Sequence, residues 1–196
     1  MLFFTILPLI FVPMICYPNV KINLGLHVLR RRPDGFHDLE TLFVPYFGLS
    51  DCLEIVTGED YSRTLASLKE RYGTLAQAVS PDGKLMITIA RKEGVDWDPL
   101  QDLTARAYAL LARDHQLPPM KIFLEKRSPV GAGLGGGSAD AAFALRAISD
   151  LTGLGLSDAA LARYAACLGS DCAFFVYNTP MLGTGRFYLG HIDTGL

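Results

Sequence analysis

A glycine-dense segment constrains this chain more than any other feature of its sequence. Residues 129–138 read Pro-Val-Gly-Ala-Gly-Leu-Gly-Gly-Gly-Ser, with five glycines among the seven positions 131–137. Because glycine loses the most conformational entropy on folding, this density predicts a backbone that needs positive φ or close approach to a ligand. A predicted helix follows from about Ser138, and backbone N–H groups at a helix N-terminus bind anions such as phosphate. The segment therefore predicts a phosphate-binding loop rather than a plain connection.

Two common phosphate-loop patterns fit this segment less well. A Walker A loop ends in Gly-Lys-Ser/Thr, whereas Ser138 follows a glycine. Gly131, Gly133 and Gly136 match the dinucleotide pattern G-x-G-x-x-G, but residues 126–129 separate this loop from the strand before it. The match therefore favours a nicotinamide-dependent oxidoreductase less than the two functions that the other motifs indicate.

The composition predicts one compact body that binds neither nucleic acid nor a structural metal. The 196 residues are 50% hydrophobic with a formal net charge of −2, which excludes a disordered chain and provides no basic surface for nucleic acid. The four cysteines show no C-x-x-C spacing, and with the four histidines they make no zinc pattern. We therefore expect free thiols and a cytoplasmic protein.

The first residues differ from the rest because residues 1–20 carry no charged side chain. Pro8, Pro13 and Pro18 interrupt every helical window there, which argues against a membrane-spanning helix. A secretory signal would need a basic start and a small-residue cleavage site, and neither is present. We expect residues 1–13 to be an extension outside the fold, with Met14 opening the domain and a cleaved signal as the alternative.

The hydrophobic pattern along the chain alternates predicted strands and helices, which indicates an α+β fold. A Pro-Asp-Gly turn is expected at residues 33–35. Ser157 is a good N-cap, and Gly169 is expected to end the helix that Ser157 opens. Strands are predicted at residues 19–29, 41–45, 53–56, 84–90, 121–125 and 172–177, and helices at residues 65–79, 103–111, from about 138 onward and 157–168.

Four segments, in order, resemble the motifs of the GHMP kinases. Residues 129–139 resemble the P-x-x-x-G-L-G phosphate loop of that family in a glycine-extended form, and residues 21–24, 32–41 and 169–171 match its other motifs. The resemblance covers about residues 17–186. It implies an α+β fold like domain 2 of ribosomal protein S5 for residues 14–186, the N-terminal ATP-binding domain. Residues 187–196 would then begin a C-terminal domain that is largely missing.

The resemblance also implies a reaction, the transfer of phosphate from ATP with Mg²⁺ to an alcohol of a small molecule. Lys21 and Asp171 are the implied catalytic residues, with Asp171 as the base. A lysine between Val20 and Ile22 needs a partner, so a close Lys21–Asp171 pair is expected. The implied nucleotide-binding residues are Lys126, Pro129, Val130, Gly131, Ala132, Gly133, Leu134, Gly135, Gly136, Gly137, Ser138 and Ala139. Of these, Ser138 is expected either to contact a phosphate or Mg²⁺ or to act as the N-cap of the helix.

The branch of the family that acts on a cytidine diphosphate-linked methylerythritol fits best. There Phe36 would stack on the cytosine and His37 would hydrogen-bond a base edge, although the family usually has Tyr at the first position. A further departure is Asp102-Leu103, where Asn-Leu usually opens a helix. The alternatives are a homoserine or mevalonate kinase and a catalytically silent nucleotide-binding fragment. We expect this chain to be a truncated form that is weakly stable, prone to association and nearly inactive.

Overall fold

The computed structural model describes residues 13–31, 33, 35, 37–58, 61–185 and 188–191. In those ranges strands and helices alternate, so the α+β prediction is confirmed. The elements are β1 (Met14–Cys16), β2 (Asn19–Arg31), β3 (His37–Ser50), β4 (Cys52–Thr57), α1 (Leu65–Tyr72), β5 (Ala76–Val79), β6 (Leu85–Arg91), a 3₁₀ helix (Pro99–Gln101), α2 (Leu103–Asp114), β7 (Met120–Lys126), α3 (Gly136–Leu151), α4 (Asp158–Leu168), α5 (Cys172–Tyr177), β8 (Met181–Gly185) and β9 (Tyr188–His191).

A five-stranded sheet in the order β1-β4-β7-β6-β5 forms one layer of the core. Its pairs are antiparallel except β6 and β7, which run parallel and are joined through α2. The central strands are apolar, and Ile55, Ile87 and Ile122 are fully buried. They pack with α3, whose small side chains Ala141 and Ala144 allow close approach. Burial of this layer fixes the strand β7 from which the glycine segment departs.

The second sheet, β2-β3-β8-β9, is antiparallel and carries the residues that face the glycine segment. In β2, Asn19, Val20 and Lys21 are buried, whereas residues 22–31 are exposed. Exposed apolar surface of this kind favours association between molecules. The association that we expect from the sequence is in keeping with this surface and stays a prediction. The exposed large apolar side chains of β2 and β3 are Ile22, Leu24, Leu26, Val28, Leu29, Tyr46 and Phe47.

Three sequence predictions need correction. The segment predicted as a buried strand at residues 172–177 is the helix α5, because a short apolar run fits a buried helix as well as a strand. The helix predicted over residues 65–79 stops at Tyr72, where Gly73 takes a φ of 67°, and β5 follows. Helix α3 begins at Gly136 rather than near Ser138.

The N-cap prediction for α4 is confirmed. The Ser157 hydroxyl accepts a hydrogen bond from the Ala160 amide at 3.3 Å, and Gly169 follows the last helical residue. Asp102 plays the same part for α2, since its carboxylate accepts from the Thr104 amide at 2.9 Å. The departure from the family at Asp102 therefore preserves a helix cap.

The predicted domain limits stay predictions at both ends. The first strand begins at Met14, and residues 1–12 lie outside the described residues. At the other end, residues 188–191 pair with β8 as β9, while residues 192–196 are not described. Every helix within the described ranges is too short or too polar to cross a lipid bilayer.

Candidate active site

The glycine segment forms one wall of a cleft of about 480 Å³. Residues 129–138 line this cleft, together with Lys126 and Asp171. The other lining residues are Trp97, which precedes the 3₁₀ helix, Gln101 and Asp102 at the end of that helix, and Leu103 at the start of α2. Ala139, which the resemblance placed at the nucleotide, is instead fully buried in α3.

The segment enters α3 through left-handed backbone conformations, as its glycine content predicts. Gly131, Gly133 and Gly135 have φ values of 76°, 76° and 72°. Gly135 is the N-cap of α3, so Ser138 lies inside the first turn and its alternative role as N-cap is wrong. Because the first amides of a helix have no acceptor within it, the N–H groups at positions 136–138 are available to an anion in the cleft.

Close packing beneath the loop leaves no space for a side chain at Gly136. A Cβ there would lie 2.2 Å from the Ser128 Oγ and 3.3 Å from the Lys126 Nζ. The first turn of α3 therefore rests directly on polar groups of the chain that leads into the loop.

Lys21 and Asp171 meet at the edge of the loop, as the sequence predicts. The Lys21 Nζ lies 3.3 Å from the Asp171 Oδ2, and the lysine side chain is only 3% exposed. The same ammonium donates to the Asn23 Oδ1 at 2.6 Å and to the Gly133 carbonyl at 3.2 Å. It also lies 4.8 Å above the centre of the Phe43 ring. Lys21 thus joins the glycine loop to the carboxylate of Asp171.

The backbone of β2 holds this lysine in place. The Lys21 amide donates to the Leu134 carbonyl at 2.9 Å, which ties the strand to the glycine loop. Asp171 precedes α5 and makes no side-chain cap bond to that helix. Its side chain is 30% exposed and lines the cleft, so it can receive a proton from a group bound there.

Lys126 lies at the border of the cleft, where the resemblance implies a nucleotide contact, and its ammonium is bound by other side chains of the protein. Although it borders the cleft, its Nζ lies 2.5 Å from the Asp51 Oδ2 and 2.6 Å from the Asp140 Oδ2. It also donates to the Ser128 Oγ at 3.2 Å. The ammonium is therefore held beneath the loop by the carboxyl groups of Asp51 and Asp140.

Asp51 anchors the chain that leads into the loop. Its carboxylate accepts from the Arg127 amide at 2.6 Å and from the Ser128 amide and hydroxyl, each at 2.7 Å. Burial opposes ionisation of this carboxyl, but the Lys126 charge and the hydrogen bonds from Lys126 and Ser128 outweigh it and hold the pKa of Asp51 below its usual value of 3.8.

Replacing Asp51 by alanine is expected to lower the free energy of unfolding by about 3–5 kcal/mol, because it leaves a buried ammonium with one partner fewer. The depressed pKa of Asp51 stabilises the fold above the carboxyl's unfolded pKa, and this contribution is lost as pH falls through its folded pKa. Urea unfolding measured from neutral to acidic pH checks both statements. Asp96→Ala, at a 90% exposed side chain, is the control and should change nothing measurable. Equal stability of the two variants would contradict the anchoring role.

Asp51 and Asp140 were not identified from the sequence. Asp140 had one available signal, because it lies four residues before Ala144 on the predicted helix and therefore on the same face as that small apolar residue. Asp51 had none, since it lies 75 residues from Lys126.

The resemblance implies cytosine contacts from Phe36 and His37. Phe36 lies outside the described residues, and His37 begins β3, where its backbone pairs with Arg31. Within the described ranges, no three His, Cys, Asp or Glu side chains come together as metal ligands.

Comparisons with known proteins agree with this geometry. The family model "GHMP kinases N terminal domain" matches residues 102–179. The chain is 42% identical over 172 residues to a 4-diphosphocytidyl-2-C-methyl-D-erythritol kinase of Bacteroides fragilis, covering 88% of this chain and 55% of that protein. A kinase of the same name from Azobacteroides pseudotrichonymphae is 41% identical over 181 residues, 92% of this chain and 57% of that protein. The chain thus spans about half the length of the curated relatives it matches.

Solved structures show the same relation. A crystal structure of 4-(cytidine 5'-diphospho)-2C-methyl-D-erythritol kinase is 31% identical, has a TM-score of 0.63, and is matched over 91% of this chain and 55% of that chain. A mevalonate kinase structure has a TM-score of 0.60 at 12% identity, with 92% of this chain and 56% of that chain covered, which shows the fold alone. The resemblance is confirmed: the chain belongs to the GHMP kinases and carries the N-terminal domain of that family.

Proposed function

We propose that this chain is the nucleotide-binding and proton-accepting part of a kinase that phosphorylates the 2-hydroxyl of 4-diphosphocytidyl-2-C-methyl-D-erythritol. The observation that carries the proposal is the Lys21–Asp171 pair, 3.3 Å apart at the cleft and bonded through Lys21 to the glycine loop. The names of the relatives at 38–42% identity support the substrate, which belongs to a non-mevalonate route to isoprenoid precursors.

The residues of the cleft fit the phosphates of ATP. The free amides at positions 136–138 and the positive end of α3 favour negative charge. The loop backbone is open to the cleft, since a Cβ on Gly131 or Gly133 would meet nothing within 4 Å. Bound ATP would supply the phosphoryl group. Because no three His, Cys, Asp or Glu side chains of the described residues come together as metal ligands, we infer that a Mg²⁺ ion would be held chiefly by phosphate oxygens.

The chain's own residues would then position the reactants and move one proton. Asp171 accepts the proton of the attacking hydroxyl, and Lys21 holds that carboxylate at a fixed place beside the loop. The loop amides stabilise the charge on the phosphoryl oxygens during transfer. Phe36 and His37 are proposed to hold the cytosine on the strength of the resemblance.

The cysteines and the composition of the chain bear on its location and partners. The described cysteines Cys16, Cys52, Cys167 and Cys172 are all free thiols, which supports a reducing, cytoplasmic location. A small-molecule substrate is proposed, without nucleic acid or membrane as partner.

A coupled ADP-release assay with three alcohols tests the proposed function. We expect the extended chain to turn over the cytidyl substrate, with no turnover of homoserine or mevalonate above background, and we expect the chain as it stands to be nearly inactive. The chain is assayed as it stands and after extension with the C-terminal part of a relative, because the matched region is only 55% of such a kinase. Turnover with homoserine or mevalonate alone would contradict the substrate, and ATP binding without turnover in both forms would identify a silent nucleotide-binding fragment.

A further inference from the structure

A buried charge cluster lies beneath the first turn of α3. We call Asp51, Lys126, Ser128 and Asp140 the sub-loop cluster. The side chains of Asp51, Lys126 and Asp140 are 1%, 4% and 1% exposed. Because a Cβ on Gly136 would lie 3.3 Å from the Lys126 Nζ, the cluster is in direct reach of the backbone that faces the cleft.

The two carboxyl groups of the cluster differ in the number of hydrogen bonds that they accept. Asp51 accepts hydrogen bonds on both oxygens, from two amides, the Ser128 hydroxyl and the Lys126 ammonium. Asp140 accepts on its Oδ2 from Lys126 at 2.6 Å, whereas its Oδ1 is buried without any hydrogen-bond partner. A single ammonium cannot neutralise two carboxylates, and a buried charge without hydrogen bonds is strongly unfavourable. If one carboxyl of the cluster is uncharged, it is that of Asp140.

The groups around Asp140 favour the same assignment. Burial raises the pKa of Asp140 well above its usual value of 3.8; Lys126 of β7 opposes this, and Asp51 and Asp102 add to the rise. Facing it from β1 is the Cys16 thiol, whose own pKa is raised to about 12 by burial, then by Cys52 and Asp140. Lys126 is therefore the one favourable charge among these neighbours.

We propose that Asp140 is held in its protonated form, so that the sub-loop cluster is electrically neutral beneath the phosphate site, and that ionisation of Asp140 weakens phosphate binding. The proposal rests on the proposed function, because it assumes a phosphate in the cleft. Asp140 is a positioning residue, since it acts through Lys126 and does not line the cleft. With Asp140 ionised, the cluster carries a net negative charge under an anion site, and two unit charges several Å apart interact by more than RT even at an effective dielectric of about 20.

The protonation state is tested first without any nucleotide. Infrared difference spectra of the wild-type chain minus Asp140→Asn, recorded at neutral pH, should contain the C=O stretch of a protonated carboxyl group. A spectrum that contains only ionised carboxylate bands would overturn the proposal. Asp140→Leu provides a second reference if the asparagine variant folds poorly, and thermal unfolding of all three chains establishes that they fold.

The coupling to phosphate is tested by calorimetry with ADP and with inorganic triphosphate, at pH values on both sides of the one at which the infrared band of protonated Asp140 disappears. The wild-type affinity should fall by about tenfold or more as Asp140 ionises. In buffers of different ionisation enthalpy, binding should take up protons. Asp140→Asn should bind both probes at neutral pH about as well as wild type and lack this additional pH dependence. Because the ligand's own ionisation contributes equally to both chains, subtracting one pH profile of binding from the other removes it.

The outcomes separate this inference from the function on which it rests. Binding with identical pH profiles in the wild-type and Asp140→Asn chains overturns the coupling and leaves the proposed kinase site intact. Binding of neither probe at any pH contradicts the nucleotide site itself, and the coupling falls with it.

Discussion

Replacing Asp171 by asparagine is expected to lower kcat by about 10²–10⁴-fold, the usual loss when a general base is removed. The Kd for ATP should change little, because Asp171 makes no hydrogen bond to the glycine loop in the structure, whereas Lys21 does. The variant preserves the size of the side chain and removes its charge. Single-turnover rates and calorimetric ATP binding, measured in a chain that carries a relative's C-terminal part, give the two quantities.

Asp158→Asn is the matched control for this experiment. Asp158 is the same type of residue at the start of α4, paired at 2.8 Å with Arg146 on the surface, and it does not line the cleft. Its replacement should leave kcat unchanged. Near-wild-type kcat in Asp171→Asn would remove Asp171 as the base. A parallel loss of kcat and ATP affinity would instead indicate that Asp171 organises the nucleotide site.

The parts of the site that could be predicted from the sequence are those with a local chemical signal. Five glycines before a helix predict left-handed backbone, and Gly131, Gly133 and Gly135 have it. A lone lysine in an apolar strand start needs a partner, and the motif resemblance indicated Asp171. Both predictions concern residues whose chemical requirement is visible in their immediate neighbours.

The errors arose where several structures satisfy the same local pattern. Residues 172–177 are uniformly apolar, so hydrophobicity alone could not distinguish the buried helix α5 from a strand. The left-handed Asn178, with a φ of 52°, ends that helix, and the position of the chain after Asp171 is decided by packing against α3 and α4. The choice between helix and strand for residues 172–177 is therefore made by the tertiary fold.

The sub-loop cluster could not be predicted for a different reason. The resemblance placed Lys126 near the nucleotide, but the two carboxyl groups that bind it come from opposite sides in sequence, 75 residues before it and 14 residues after it. Nothing near Asp51 in the sequence indicates that it accepts from Arg127 and Ser128. Contacts between residues so far apart in sequence follow from the pairing of β4 with β7. This pairing brings Cys52 opposite Glu125 and places Asp51 beside the residues that lead into the glycine loop.

Gly135 is the position in the loop where a substitution is expected to have the largest effect on nucleotide binding. Its φ of 72° and ψ of 16° lie in the left-handed region, which a β-branched side chain strongly disfavours. A Cβ there would lie 3.0 Å from the Phe175 Cε2 and 3.2 Å from the Lys21 Cγ. Because Lys21 also binds the Gly133 carbonyl, a side chain at position 135 would displace both the loop and the lysine of the candidate active site.

Gly135→Val is therefore expected to weaken ATP binding by about tenfold or more and to lower the free energy of unfolding by about 1–3 kcal/mol. Gly153→Val separates the two effects, since Gly153 has a φ of 66°, a Cβ there would meet no atom within 4 Å, and the residue has no part in the cleft. It should carry a similar backbone strain and leave the ATP affinity unchanged. Calorimetric titration and urea unfolding of both variants give the comparison. Wild-type ATP affinity in Gly135→Val would mean that the phosphates bind elsewhere, because no valine at this position can leave the first turn of α3 and Lys21 where the structure has them.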